Sequence, residues 1–367
     1  MFAGPKPVYE DPFYNYKSVR IRNNKITKIG INELSSNFYV YLEESFRKKL
    51  FEQAIYVLGD EKALARLLGV CIDTITILKR GRYFGGREFD KAFMNVKFLR
   101  KMLKLTNVSI SEVESSVTLL RGKSGRVFRI SLPIRVNENI ASLLGHSFGD
   151  GGIDHDFAFK YVNKEPRLLE RVQAATKSIF NDIEAKVYFK ANMGELRYEY
   201  KYPAVVGHIL HILGAPVGSK VKQEIDIPKW LFLSSKTIRT SFIRSIYDDE
   251  STVNVSGKSI HTGFSRLTSL KGFLIKFLTS LKMLLRTLTI VTSEIFFMQK
   301  YQDKLDEERT KYGFCISSYE NLEKFQREIG FFHPQKQERL GDSLRNYTSI
   351  GIQLKDQQTV KGHKKRS

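Results

Sequence analysis

Two stretches one hundred residues apart, ASLLGHSFGDGGI at 141–153 and SFIRSIYDDESTV at 241–253, share one layout. In each, apolar and small residues at helical spacing run into a single acid, Asp150 or Glu250, and polar, strand-like sequence follows at once. A repeat of this length is too long for a solenoid unit and suits half of a pseudo-symmetric domain. The pattern therefore predicts two equivalent helices whose terminal acids meet on an internal two-fold axis. Their meeting would form a paired-carboxylate site.

The first stretch reads LxGxxxGDG at Leu143, Gly145, Gly149, Asp150 and Gly151. Gly145 and Gly149 are four apart, so they share a helical face and admit a partner helix closely. In the second stretch Ser245 keeps the first small position, Asp249 stands where Gly or Ala is usual, and Ser251 replaces the closing Gly. The flanks agree with the two motifs. FKYVNKEPRLLERVQAATKSIF reads as a strand, an Asn-Lys turn and an amphipathic helix, GAPVGSKVKQEIDIPKWL as an inter-repeat connection, and ENLEKFQREIGFFHPQK as a closing helix.

On these residues, 137 to 345, the chain resembles the LAGLIDADG (DOD-type) homing endonucleases. The resemblance implies an α+β fold of two pseudo-symmetric αββαββα-like repeats forming a saddle, at 138–235 and 236–345. It implies double-stranded DNA as partner, and phosphodiester hydrolysis by divalent metal bound at Asp150 and Glu250. It also implies a basic residue near the site. Lys201, ahead of Tyr202 and Pro203, fits that position in the first repeat, whereas Ser317 and Ser318 stand there in the second. Oxygen ligands without a soft cluster favour Mg2+.

Alternation in the strand-like segments assigns faces. Lys186, Tyr188 and Lys190 are expected outward with Val187 and Phe189 inward. Arg197, Glu199 and Lys201 are expected opposite Tyr198 and Tyr200, and Thr252, Asn254 and Ser256 opposite Val253 and Val255. Under the resemblance, Lys186, Tyr188, Lys190, Arg197, Thr252 and Asn254 would approach base edges in the major groove.

Residues 1–125 predict a mostly helical, all-α domain. GDEKALARLLGVCIDTITILKRGR reads as a helix-turn-helix over about 61–80, with a turn at Gly69 and Ala63, Leu64, Leu67, Val70, Ile75 and Leu78 facing a small core. It resembles a repressor-type reader, in which Asp73, Thr74 and Thr76 would face bases while Lys79, Arg80 and Arg82 reach phosphates. LEESFRKKLFEQAIYVL, FLRKMLKL and VESSVTLLRG suit further helices of a four- or five-helix module, and SVRIRNNKITKIG a small hairpin. Residues 126–137 read as a connector and 346–367 as a basic tail ending KGHKKRS.

The net charge of +21 suits a polyanionic partner. The most apolar stretch, LIKFLTSLKMLLRTLTIV, is interrupted by Lys276, Lys282 and Arg286, and the first residues lack the apolar run of a secretory signal. A cytoplasmic monomer without membrane contact is expected. The chain begins with Met and lacks both an initial Cys or Ser and a closing His-Asn pair, so a free-standing protein is expected rather than one embedded in an intein. The two cysteines, Cys71 and Cys315, lie in apolar segments, have no zinc spacing and read as buried small hydrophobes. A second function class stays open: the same fold could serve as a non-cutting transcriptional regulator or an RNA splicing maturase.

Overall fold

The chain divides after Val136 into two units, and the computed structural model describes residues 26–83, 91–122, 126–181, 183–192 and 195–347. The fold is mixed α+β with several small antiparallel sheets.

The first unit holds, in order, β1 (Lys28–Ile29), β2 (Tyr39–Leu42), α1 (Glu44–Leu58), α2 (Glu61–Leu68), α3 (Ile72–Arg80), β3 (Met94–Asn95), α4 (Val96–Leu105), α5 (Ile110–Ser116), β4 (Val117–Arg121), β5 (Val127–Arg129) and β6 (Ile134–Arg135). An all-α domain was expected here, but four of these strands form a sheet ordered β3-β2-β4-β5, and β1 pairs with β6. The reason is local. VESSVTLLRG carries apolar residues at both helical and strand spacing, and the chain leaves the helix at Ser116 because Val117 to Arg121 finds β2 as a partner. The connector expected at 126–137 contributes β5 and β6, so it is paired structure up to the boundary. The hairpin expected at 18–30 lies partly outside the described residues, and its described end pairs with distant β6.

The helix-turn-helix elements are α2 and α3. Asp60 caps α2 by accepting from the Ala63 amide at 2.6 Å, and Gly69 turns the chain at φ +74°, a left-handed conformation that suits glycine. The buried face is Leu64, Ala65, Leu68, Ile75 and Leu78. Ala63 and Val70 are only half-buried and Leu67 is exposed, so the apolar stripe lies about one residue round from the expected one. A Leu-rich octamer offers two overlapping stripes, and packing against neighbouring helices selects between them.

The second unit runs α6 (Glu138–Phe148), β7 (Gly151–Ile153), β8 (Phe159–Asn163), α7 (Pro166–Phe180), β9 (Lys186–Asn192), β10 (Glu195–Lys201) and α8 (Ala204–Ile212). After two 3-10 turns it continues α9 (Lys236–Glu250), β11 (Ser251–Asn254), β12 (Ser259–Leu267), α10 (Lys271–Arg286), β13 (Phe296–Gln302), β14 (Glu308–Ile316) and α11 (Tyr319–Glu328). A further helical stretch covers 334–347. Each half has one four-stranded antiparallel sheet, β7-β8-β10-β9 and β11-β12-β14-β13, in which the fourth strand of each half lies inside the third. The same topology thus occurs twice. No helix among the described residues is long and apolar enough to cross a membrane.

Helices α6 and α9 pack face to face. A Cβ on Gly145 would lie 2.4 Å from the Phe242 carbonyl oxygen and 2.8 Å from the Ser245 Cβ, and one on Gly149 would lie 2.5 Å from the Asp249 Cβ. Ser142 and Ser245 share a buried hydroxyl hydrogen bond of 2.8 Å across this interface. Beside it Phe148 meets Phe242 edge to face at 5.7 Å and stacks on Phe277 at 6.0 Å. Gly145→Ala must push a methyl against a backbone oxygen that cannot rotate away. It should cost about 1–3 kcal/mol, read as a lower melting temperature, while Gly152→Ala at a half-buried position whose Cβ meets nothing within 4 Å should leave it unchanged.

Candidate active site at the paired helix ends

Both helices end on acid. Asp150 follows Gly149 in the turn out of α6, and its Oδ2 accepts from Asn163 Nδ2 at 3.0 Å. Glu250 is the last residue of α9. Asp249 lies between them in the space that Gly149 leaves by lacking a side chain. There its Oδ2 accepts from the Asp150 amide at 3.0 Å and bonds His146 Nδ1 at 3.0 Å, while its Oδ1 accepts from the Tyr161 hydroxyl at 2.8 Å. The residue that departs from the motif is therefore fully bonded, and it fills a slot that only one of two paired helices can provide.

The charge of Asp249 raises the proton affinity of both Asp150 and Glu250. Asp150 is pushed up to about 8, first by desolvation, then by the charges of Asp249 and Glu250. Asp150 is nevertheless exposed to solvent, and it is the crowding by two further acids that separates it from an ordinary surface carboxylate. Glu250 is also raised, by desolvation first and by Asp249, against the opposing pull of Lys220, Arg266 and Lys311. On the other side of α9, Asp248 is 1% exposed and raised to about 6 by desolvation, although its Oδ1 accepts from the Phe332 and His333 amides at 3.0 Å each.

Two ammonium groups cap the helix ends. Lys220 Nζ donates to the carbonyls of Gly149 and, at 2.6 Å, Gly151; Lys336 Nζ donates to those of Tyr247 at 3.2 Å and Asp248 at 2.5 Å. Burial pulls Lys220 down to about 8 and lowers Lys336, while the acids pull the other way. Lys201 lies elsewhere: with Lys160 it pairs to Asp154, at 3.5 and 2.9 Å. The cations that oppose the rise at Asp150 are Lys220 and Lys336. Sequence reasoning did not single these out, because SKVK and HPQK are ordinary surface-like strings whose neighbours are set by chain path.

The remaining site residues divide. Lys186, Tyr188, Arg197, Thr252 and Asn254 are exposed, and Asn254 Oδ1 also accepts from the Ser256 hydroxyl and the Gly257 amide, closing the β11–β12 turn. The Lys190 side chain lies outside the described residues. Val187 and Phe189, expected inward, are 46% and 68% exposed because β9 is an edge strand without a cover on either face, and Glu199, expected outward, is buried. On α3, Asp73 and Arg80 are exposed and Thr74 and Thr76 half-buried, with Lys79 Nζ 3.2 Å from Glu61; Arg82, just past the helix, is exposed. Cys71, expected buried, is exposed at the start of α3 with its sulfur 3.1 Å from Thr74 Oγ1, and Cys315 is half-buried. An apolar neighbourhood in sequence did not become one in space.

Among the described residues no cluster of three or more His, Cys, Asp or Glu is arranged to hold a metal. Mg2+ commonly takes one or two carboxylates and completes its shell with water and substrate phosphate, and the carboxylate oxygens of Asp150 and Glu250 fit that habit. The two ammonium groups on helix-end carbonyls mark this as a place where positive charge is stabilised.

The chain matches no family profile. It is similar over 212 residues (57% of the chain, 21% of the relative) to the replication factor C small subunit of Thermococcus kodakarensis at 25% identity. It is similar over 238 residues (57% and 24%) to the tRNA-splicing ligase RtcB of Methanocaldococcus jannaschii at 24% identity. The third similarity, over 306 residues (72% and 25%), is to that organism's probable translation initiation factor IF-2, at 24% identity. The chain thus spans about a fifth to a quarter of the length of these relatives.

Proton linkage gives a test of metal at this site. Asp150 binds its proton up to about pH 8 when folded and only near 3.8 as a free side chain. Its contribution to stability is therefore full at low pH and lost as pH rises between those values. A cation bound to the carboxylate replaces the proton, so the rise in melting temperature on adding Mg2+ should be larger at pH 8.5 than at pH 6. A shift of equal size at both pH values would remove Asp150 from the ligand set.

Proposed function

We propose that the chain is a site-specific double-stranded DNA endonuclease of the LAGLIDADG kind, whose two repeats hold divalent metal at Asp150 and Glu250. One observation carries this reading. The same αββαββα order occurs twice, and the leading helices cross closely enough for the charge of Glu250 to raise the proton affinity of Asp150. Phosphodiester hydrolysis needs an anionic oxygen cluster of this kind. Bound metal there supplies an activated water, charge relief on the pentavalent phosphate and stabilisation of the leaving oxygen.

The chain's own residues prepare the site. Asn163 holds one Asp150 oxygen and leaves the other for a ligand. Lys220 and Lys336 fix the last turns of α6 and α9, and with Arg266 and Lys311 they favour the ionised acids and a nearby phosphate. Exposed Lys186, Tyr188, Arg197, Thr252 and Asn254 offer a polar sheet surface to the duplex.

The similarities to known proteins do not bear on the choice between the readings. Any two of the three matched stretches must overlap in this chain, because each covers more than half of it. A segment shared by proteins named for replication, tRNA splicing and translation initiation points to none of those activities in particular. The second reading, a regulator or maturase on this fold that binds without cutting, is favoured by the ammonium groups already set against the acids.

Incubation of the protein with a randomised duplex library and Mg2+, followed by end sequencing, separates the two readings. Staggered ends at one preferred sequence support the endonuclease, and uncut but retained duplex supports the binder. Asp150→Asn and Glu250→Gln should each abolish double-strand cleavage and keep DNA affinity within about threefold, since neither acid contacts the duplex through a positive charge. If both variants cut at the wild-type rate, the site lies elsewhere.

A further inference from the structure

The first unit carries an unexpected sheet, and the side chains on one face of it form a pattern that the helix-turn-helix does not explain. Val40, Met94, Leu120 and Phe128 are buried beneath the sheet β3-β2-β4-β5. On the other face Tyr39 pairs across the ladder with Asn95 and Arg121, and Tyr41 with Leu119, which in turn faces Arg129. The four strands, YVYL, MN, VTLLR and VFR, contain no acid.

Cations lie over the rings of this face. The Arg121 guanidinium is 5.2 Å from the Tyr39 ring and 4.7 Å from the Phe93 ring, and Lys91 Nζ is 5.1 Å from the Tyr41 ring. Tyr41 and Phe93 are themselves 5.7 Å apart. A cation held over a ring is fixed in position but keeps its full charge, unlike one paired to a carboxylate. No ion pair with an acid is recorded for Lys91, Arg121 or Arg129 among the described residues. Oriented but unneutralised cations are what a row of phosphates requires.

The strip is physically joined to α3. Buried Arg47 donates to the Lys79 carbonyl at 3.2 Å, the Arg80 carbonyl at 3.0 Å and the Leu42 carbonyl at 2.9 Å, so one guanidinium ties the end of α3 to the end of β2. Gly81 follows at φ +77°, and a Cβ there would strike Arg47 at 2.2 Å. The chain then pairs Arg82 with Lys91, and the Ala92 amide donates to the Gly81 carbonyl at 2.9 Å. Arg82 and Lys91 are thus bridged beside α3, Lys91 and Arg121 lie over the linked rings of Tyr41 and Phe93, and Arg129 follows on the neighbouring strand.

We propose that the amino-terminal unit grips duplex DNA over a footprint longer than its helix-turn-helix, with Lys91, Arg121 and Arg129 engaging backbone phosphates that flank the segment facing α3. This rests on the reading of α3 as a DNA-contacting helix and adds a second, sequence-independent contact line. It leaves base readout to α3 and supplies affinity and register through the backbone.

The test uses the full chain in EDTA, so that nothing is cut, and a labelled mixed-sequence duplex of about 40 base pairs titrated at several salt concentrations. Each lost phosphate contact lowers the slope of log affinity against log salt by about 0.9. Lys91→Gln with Arg121→Gln should lower the slope by about two and weaken binding roughly three- to tenfold near 0.1 M salt. Arg121→Lys, which keeps charge and alters ring packing, should keep the wild-type slope. Arg80→Gln with Arg82→Gln tests the underlying reading.

If those α3 variants lose slope and the Lys91/Arg121 pair does not, the strip proposal fails while the helix reading stands. If neither pair changes a wild-type protein that binds, both fail. Loss on Arg121→Lys equal to that of the Gln pair would make the strip a packing feature and overturn the proposal. Tighter binding of wild type to a single strand of the same length would overturn it too, by assigning the rings to base stacking.

Discussion

The close crossing of α6 and α9 is the constraint on which the second unit depends. Gly145 lets the Phe242 carbonyl approach to a distance that any side chain would forbid, and Ser142 and Ser245 close the same interface with a hydrogen bond. Once the helices cross this closely, their C-terminal ends must lie side by side. Three carboxylates then share a small volume, at the ends where the helix dipoles are also negative. That arrangement is unfavourable by itself. It persists because Asp249 receives three partners and because Lys220 and Lys336 bring positive charge onto the helix-end carbonyls.

The two halves repeat one topology but not one chemistry. Gly149 and Asp249 occupy equivalent positions on the paired helices, and the side chain of one fits where the other has none. An acid at both positions would set two carboxylates against each other, and glycine at both would leave a gap beside the core. The mixed pair solves both problems and breaks the symmetry. Asp150 consequently has an amide partner from Asn163, whereas Glu250 is set among Lys220, Arg266 and Lys311. Arg266 is itself buried and drawn down to about 10 by desolvation, with Glu250 opposing the shift.

In the first unit a single buried side chain has a comparable role. Arg47 satisfies carbonyls at the ends of both β2 and α3, so the helix that follows the turn at Gly69 is held by α1 and the sheet as well as by its own short apolar face. A nine-residue helix with only two buried residues, Ile75 and Leu78, has little packing of its own to fix it.

The sequence by itself determined the repeated helix-to-acid layout, the helix ends near Asp150 and at Glu250, the close-packing role of Gly145, and the turn at Gly69. These follow from local spacing, from the demands of tight approach and from capping chemistry, all of which are written in neighbouring residues. Only the tertiary structure decided that Asp249 fills the space beside Gly149, that Lys220 and Lys336 reach the helix ends while Lys201 turns to Asp154, and that 117–121, 127–129 and 134–135 pair into sheets. It also exposed Val187, Phe189 and Cys71, whose strings read as inward-facing. The physical reason is common to all of these. Whether a charge meets an acid, whether a strand is an edge, and whether an ambiguous apolar segment becomes helix or strand depend on partners 50 to 100 residues away, and no periodicity within the segment records which partner arrives.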